Sequence, residues 1–305
     1  MSYHIISIDA PDCNISVKRE QLCVTSIDGV NQVPIEDVAS IVITSIKCNL
    51  SNTFLIEAAK HKVSVIICDS FKPSVILLPA DRSTDTQILR NITQLSPQLK
   101  RRLWKKTIDV KCSNQWHLAK LWNKTHILLD SFSSLLKSEK GSKESECAKI
   151  YWRIFSDTFA NGTFKRERGG SDYNAFFNYA YAILLSCVLR NLFALGIDPT
   201  FGIHHSTREH ATPLAYDLME PFRIIFDYKV AQWIISHDDN SECSITKEFR
   251  AYITATLLEP VSYQDKQFPL KSVIEQVIRS FRASVLAMQS GPYEPWTIST
   301  TKWDG

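Results

Sequence analysis

Ser74-Val75-Ile76-Leu77-Leu78-Pro79-Ala80-Asp81-Arg82-Ser83-Thr84-Asp85-Thr86-Gln87-Ile88-Leu89 divides the chain into two textures. Before it, apolar residues alternate or run in short blocks rich in Ile and Val, the pattern of strands. Such blocks cover His4 to Asp9, Asn14 to Arg19, Gln21 to Ser26, Val38 to Thr44, Val63 to Cys68 and Ser74 to Leu78. Asp28-Gly29 marks a turn, and one helix fits after Ser51 or Asn52 as N-cap, carrying Phe54, Leu55, Ile56, Ala58 and Ala59. After it, apolar residues recur at i, i+3, i+4 and i+7. Helices are predicted over 84–95, 97–120, 120–137, 144–158, 172–195, 213–237, 245–258 and 267–289. The fold class is α+β: a small β-rich N-terminal domain over 1–80, a linker at Ala80-Asp81-Arg82-Ser83, and a larger all-helical domain over 84–305. The tail from Ser290, with Gly291, Pro292 and Pro295, reads as irregular and mobile.

A chain of 305 residues with 44% hydrophobic and 22% charged residues has the composition of a folded soluble protein. Met1-Ser2-Tyr3-His4 shows no basic segment ahead of an apolar run, and Ala180 to Leu189 is too short to span a bilayer. The expected location is the cytoplasm. Eight cysteines, at 13, 23, 48, 68, 112, 147, 187 and 243, include no C-x-x-C pair, which excludes zinc-ribbon and thioredoxin readings. All eight are read as reduced thiols. The net charge of +3 is uneven: residues 1–82 hold seven Lys/Arg against nine Asp/Glu, and residues 83–305 hold 28 against 23. The second part is the one suited to a polyanion.

Chemistry concentrates in Gly202-Ile203-His204-His205 and Pro213-Leu214-Ala215-Tyr216-Asp217-Leu218-Met219-Glu220-Pro221-Phe222-Arg223. Asp217 and Glu220, at i and i+3 on a helix, share a face, a short loop from two imidazoles. With one more acid, these side chains make a divalent-metal site of mixed nitrogen and oxygen ligands. The acids lie among apolar residues, so each needs a cationic partner such as Arg223 or a bound ion. His205 and His210 raise a zinc site, but their spacing on a loop matches no helical zinc pattern and no cysteine is near. Glu144, Ala148 and Tyr151 share another helix face, and Ala148 leaves space beside Glu144; a solvated first-turn acid is the plainer reading.

Lys100, Arg101, Arg102, Lys105 and Lys106 cluster with Trp104 on one helix, and Lys165, Arg166 and Arg168 precede Gly169-Gly170. Either set can track a phosphate backbone, although the first also reads as a solvated face. Asn174, Asn178 and Tyr179, just inside the next helix, are expected to fasten the His204-His205 loop in a supporting role.

Taken in order, these motifs resemble the CRISPR-associated integrase of the adaptation module, CRISPR-associated protein one. The resemblance covers nearly the whole chain. It begins at Pro34-Ile35-Glu36-Asp37-Val38 and Ile41-Val42-Ile43, and passes through Glu144…Ala148…Tyr151 and Asn174 to Leu184. It then takes in Gly196-Ile197-Asp198-Pro199 and Gly202 to His205, and ends in Asp217 to Arg223. The compact length and the Met219-Glu220-Pro221-Phe222-Arg223 version are most similar to members from type II systems.

The resemblance implies a metal site of Glu144, His205 and Glu220, catalytic and metal-binding together, holding Mg²⁺ or Mn²⁺. Glu146 and His204 are the rival assignments, set aside on the spacing to Tyr151 and to Glu220. Asp217, Asn178 and Tyr179 would support the site. Lys165, Arg166, Arg168, Arg223, Lys100, Arg101, Arg102 and Lys105 would contact DNA. The implied activity is insertion of captured DNA fragments into a CRISPR repeat array by 3′-hydroxyl transesterification, in antiviral defence. The implied partners are double-stranded DNA fragments, repeat DNA, a second copy through the β-rich domain, and CRISPR-associated protein two. The type II effector nuclease and an accessory DNA clamp would join in capture. Two rival readings stand beside it: a metal-dependent structure-selective endonuclease using water as nucleophile, and a non-catalytic DNA-binding scaffold.

Overall fold

The computed structural model describes residues 4–45, 47–69, 72–77, 85–138, 143–167, 173–208, 210–237 and 245–298. Ala80 to Ser83, Arg168, Gly169-Gly170 and Cys243 lie outside the described residues. Strands fill the N-terminal part and helices dominate the rest, an α+β fold.

Two four-stranded sheets form first. One holds β1 (His4–Ile8), β5 (Val38–Ile43), β7 (Ser64–Asp69) and β8 (Lys72–Leu77) in that order, with β1, β5 and β7 parallel and β8 antiparallel. The other runs β4 (Gly29–Pro34), β3 (Gln21–Ser26), β2 (Cys13–Lys18), β6 (Cys48–Leu50), with β6 parallel to β2. β4 and β6 escape the alternation rule because β4 is an exposed polar edge and β6 is three residues long. Gly29 closes the β3–β4 hairpin at φ +123°, a backbone angle that disfavours any side chain. Between β6 and β7 runs α1 (Asn52–Lys60), opened by Ser51, whose hydroxyl accepts the Phe54 amide.

The first sheet belongs to two cores at once. Ile41, Ile43 and Val65 pack with α1 and the second sheet, while Val42, Ile66 and Cys68 on the opposite face pack into the helical core. Strand alternation produces this division. The helical partner is α6 (Tyr173–Ala194), largely apolar and buried over most of its length. Its length and composition would also suit a membrane span, but here it is the central core helix. Ser64 on β7 donates to Ser40 on β5 at 2.8 Å and reaches the Ser186 carbonyl of α6 at 3.3 Å, tying sheet to helix in the buried layer.

Around α6 lie α2 (Thr86–Thr93), α3 (Pro97–Trp122), α4 (Leu129–Leu136), α5 (Lys143–Phe159), α7 (Pro213–Met219), α8 (Arg223–Ser236), α9 (Lys247–Ala255) and α10 (Leu270–Ala287). Three of the sequence expectations change. The 120–137 helix is two pieces: α3 ends at Trp122, and the Asn123 side chain turns back to the Thr125 amide before α4. The 213–237 helix is interrupted by a 3-10 turn over Glu220–Phe222, where Pro221 brings no amide hydrogen. The helical part is also not purely helical. β9 (Pro260–Tyr263) and β10 (Lys266–Pro269) form a hairpin whose turn residues Gln264 and Asp265 both have positive φ, a type I′ geometry.

The tail from Ser290 is irregular, as expected, but it is anchored through Ile298 rather than mobile. Tyr293 and Trp296 are fully buried. Tyr293 shares a 3.0 Å hydroxyl contact with Thr107 of α3, and the Trp296 indole donates to the Ser262 carbonyl of β9 at 2.9 Å. Lys106, read above as part of a phosphate-binding cluster, instead donates to the carbonyls of Gly291 and Tyr293. Trp296→Ala is expected to cost about 3–5 kcal/mol in denaturant unfolding, and truncation after Ser290 to lower the midpoint as well. Unmoved midpoints would contradict the anchored tail.

Candidate metal centre

Four segments deliver the site. α3 carries Trp104 and Lys111, the first turn of α5 carries Glu144, the loop over 201–212 carries three histidines, and α7 with its 3-10 turn carries Asp217 and Glu220.

Asp217 is fully buried and its carboxylate organises the loop. Oδ2 accepts the amides of Ile203 at 2.7 Å and His204 at 3.1 Å. Oδ1 accepts the His205 amide at 3.1 Å and the His205 ring Nδ1 at 2.7 Å. A carboxylate facing Nδ1 makes that nitrogen the donor, so Nε2 presents its lone pair outward. The Asp217 hydrogen bond raises the proton affinity of the ring, outweighing the opposite effect of burial. Gly202 is required here for space. A Cβ at this position would stand 2.4 Å from the His205 carbonyl oxygen, 2.9 Å from Pro213 Cβ and 3.0 Å from Asp217 Oδ2.

Aromatic contacts fix the rings. His204 stacks flat on Trp104 with centroids 4.2 Å apart, and Trp104 meets His205 edge-on at 5.7 Å. His210 stacks on Tyr216 at 3.7 Å and faces His205 edge-on at 5.3 Å.

The two glutamates meet on one ammonium. Lys111 Nζ donates to Glu144 Oε1 at 2.7 Å and lies 2.8 Å from Glu220 Oε2. Arg223 takes the other oxygen, Oε1, at 3.0 Å. Glu220 is 3% exposed. Burial alone would raise its carboxyl, but Arg223 and Lys111 outweigh burial and hold it at about 2. Burial likewise opposes charge on Lys111, and Glu220 and Glu144 overcome it. Lys111 is thus the cation facing Glu220 Oε2, and Arg223 the one facing Oε1.

That donor set suits a hard or borderline divalent ion: two carboxylates, and an imidazole whose Nδ1 is committed to Asp217 and whose Nε2 is available. Among the described residues, no three His, Cys, Asp or Glu side chains converge tightly enough to form a ready cage. Lys111 Nζ instead lies between Glu144 and Glu220, 2.7 Å from one carboxylate and 2.8 Å from the other.

Other expected residues fall elsewhere. The side-chain oxygens of Asn174 and Asn178 accept from Arg166 at 2.9 and 2.8 Å, and Asn178 lines a cavity with His210 and Ala211 of the histidine loop. Asp217 fastens the loop by accepting the amides of Ile203, His204 and His205. Tyr179 is buried against Phe249, with centroids 5.9 Å apart, on the side of α6 away from the site. Arg166 turns inward over Trp152, Phe177 and Tyr181, and with Arg223 lines a cavity of about 300 Å³ between β8, α6 and the loop before α7. Lys165 is on the surface, paired with Glu167 at 2.8 Å. Lys100, Arg101, Arg102 and Lys105 stand on the first turns of α3; Arg101 and Arg102 are exposed, and Lys105 reaches Asp109 at 2.6 Å. Glu146 is half-buried on α5.

Sequence reading missed Lys111, whose signal was its position seven residues beyond Trp104 on the same face of α3. It also missed Asp227 on α8, which accepts from Tyr151 at 2.7 Å and Tyr181 at 2.5 Å and so joins α5, α6 and α8. Burial pushes its carboxyl up to about 6, although both tyrosines, Arg166 and Arg223 pull the other way.

A model of the CRISPR associated protein Cas1 family matches residues 6–257. The CRISPR-associated endonuclease Cas1 of Neisseria meningitidis serogroup C (strain 8013) is 26% identical over 277 residues, which is 89% of this chain and 88% of that protein. Among solved structures, a casposase bound to integration product superposes with a TM-score of 0.75 at 21% identity, over 97% of this chain and 96% of the other. A Cas6-RT-Cas1–Cas2 complex superposes with a TM-score of 0.76 at 15% identity, over 97% of this chain and 36% of that one. At these identities the structural matches establish the shared fold.

Asp217→Asn is expected to lower the His205 ring pKa measured by NMR, and Gly202→Ala to displace the loop and do the same; an unmoved pKa would contradict the Asp217 clasp. The proton retained by Asp227 acts with the opposite sign to a salt-bridged acid. Its folded pKa of about 6 lies above the ordinary 3.8, so its contribution to stability falls as pH rises through that window. Asp227→Asn is expected to remove this decline from unfolding free energies measured between those two pH values. A decline identical in the variant would place the titration elsewhere.

Proposed function

The chain belongs to the Cas1 family, and from that premise we propose that it is a divalent-metal-dependent DNA integrase of CRISPR adaptation. It inserts captured DNA fragments into a repeat array. The observation that carries the reading is the meeting of Glu144 and Glu220 around a single cation position, beside a histidine whose Nδ1 is committed to Asp217.

Glu144, His205 and Glu220 would hold Mg²⁺ or Mn²⁺. When bound, the ion supplies Lewis-acid polarisation of a phosphoryl oxygen and favours loss of the attacking hydroxyl proton. The remaining roles belong to the chain. Arg223 keeps Glu220 ionised inside the core. Asp217 sets the His205 tautomer, and Trp104 braces the neighbouring His204. Lys100, Arg101, Arg102 and Lys105, on the helix that carries Trp104, and Lys165, on the loop after α5, neutralise phosphates and place the two DNAs. In the reaction the fragment's 3′ oxygen forms the new P–O bond. The displaced 3′ oxygen of the repeat strand leaves as the old P–O bond breaks.

The partners follow from the same reading. They are double-stranded fragments, repeat DNA, a second copy through the β-rich part, and Cas2, the protein named with Cas1 in one of the superposed complexes. The Met219 to Arg223 motif and the compact chain favour a type II system, where the effector nuclease and a DNA clamp would take part in capture. The superposed casposase is bound to an integration product, which favours joining over cutting alone. The printed name of the Neisseria relative keeps endonuclease activity as the second reading.

The test combines the chain, its Cas2, a labelled 3′-hydroxyl fragment and a repeat-bearing plasmid with Mn²⁺ or Mg²⁺. Wild type is expected to yield joined product, with Glu220→Ala and His205→Ala reduced by about 10²-fold or more, an order typical of lost transition-state charge stabilisation. Cleavage without joining would select the endonuclease, and DNA binding without either would select the scaffold.

A further inference from the structure

Lys111 occupies the place where the proposed ligands meet. Its Nζ lies 2.7 Å from Glu144 Oε1 and 2.8 Å from Glu220 Oε2, between helices α3 and α5 and the 3-10 turn. A divalent ion bonded to those oxygens sits at about 2.0–2.2 Å from each. Both cations cannot hold the same two oxygens, because the carboxylates must close inward for the ion and because the ammonium would then stand beside a doubly charged neighbour. Glu144 and Glu220 already face two cations, Lys111 and Arg223. An entering ion meets the repulsion of the ammonium until the ammonium leaves.

The ammonium has a direction in which to leave. Glu220 is enclosed, but the Glu144 side chain is 34% exposed and that of Lys111 is 11% exposed, so the site opens on the Glu144 side. Lys111 rides on the same helix as the exposed Arg101 and Arg102. A DNA phosphate arriving on the Glu144 side of the site offers the ammonium a second anionic partner.

We propose that Lys111 is the resident counter-ion of the centre and couples metal entry to DNA binding. Without DNA its ammonium holds Glu144 and Glu220 against a divalent ion; an arriving phosphate takes the ammonium and frees both carboxylates. The proposal rests on the metal-dependent reading above and adds to it a reason for a nuclease-like site to stay metal-poor when no DNA is present. By linkage, the ion must tighten DNA binding by the same factor by which DNA tightens ion binding.

Full-length protein is titrated with Mn²⁺, and free ion is followed by electron paramagnetic resonance. Titrations run with and without a duplex carrying 3′-dideoxy ends, which cannot be joined. Glu220→Ala with the same duplex supplies the background of ion bound to DNA. Wild type is expected to bind Mn²⁺ more tightly with DNA by a factor within the roughly 5–150-fold range of site-to-site coupling. Lys111→Met and Lys111→Gln are expected to bind Mn²⁺ tightly without DNA and to gain less than about twofold from it, their coupling being nearly abolished. The wild-type arm needs no variant, so a misfolded Lys111 variant does not void the test. A wild-type affinity unmoved by DNA, or folded Lys111 variants that bind no more tightly than wild type, overturns the proposal. Wild type that binds no more Mn²⁺ than Glu220→Ala in either condition overturns the metal-dependent reading, and the coupling with it.

Discussion

A carboxylate placed in the core without water, Glu220, is the constraint around which the helical part is built. An ionised acid at 3% exposure is tolerable only with cations at bonding distance. Arg223, three residues on, supplies one from its own chain segment, and Lys111 supplies the other from α3. Lys111 in turn reaches Glu144, so α3, α5 and the α7–α8 junction are joined through one chain of alternating charges. Removing either cation leaves a buried charge uncompensated, a loss of about 3–5 kcal/mol where such pairs are broken. Buried ion pairs of this kind are weak sources of stability against an apolar alternative. Their presence is better explained by what the carboxylates can bind.

The rest of the site is arranged to keep this cluster in register. Pro221 breaks the helix after Glu220, and the resulting 3-10 turn aims the carboxylate at α3 rather than along the helix. Asn114, one turn beyond Lys111, donates to the Pro221 carbonyl at 3.0 Å and to the Trp296 carbonyl at 3.1 Å. The C-terminal tail thus bears directly on the turn that carries Glu220. Asp217 does for the histidine loop what Asn114 does for the turn, satisfying backbone donors that no helix or strand would satisfy. Precision in the ring position of His205 comes from backbone chemistry as much as from the ring itself.

Periodicity made most of the architecture readable. The change at Leu78 to Thr84 separated strands from helices, and long periodic runs such as those of α3, α5 and α6 were placed within a residue or two. What failed had local physical causes. The β9–β10 hairpin depends on two residues at positive φ, Gln264 and Asp265, neither of them the Asn-Gly or Asp-Gly pair that announces such turns. Site residues were readable where chemistry and spacing coincide, as at His205, Asp217 and Glu220. Lys111 was hard to read because a lysine among six other Lys and Arg residues on one helix resembles a solvated face. Only the fold shows that its side chain enters the core. Arg166 and Lys106 were misread for the same reason in reverse, since a basic residue can serve a cavity or a tail as readily as a phosphate.

In the proposed function, Lys111 fills the cation position between Glu144 and Glu220 until DNA and metal arrive. Anomalous diffraction from crystals grown with Mn²⁺ and 3′-dideoxy duplex tests it most directly. The account predicts a manganese peak bonded to both glutamates and to His205 Nε2, with Lys111 Nζ moved onto a phosphate oxygen. A peak at other residues, or an ammonium still lying between the two carboxylates beside bound metal, would contradict it.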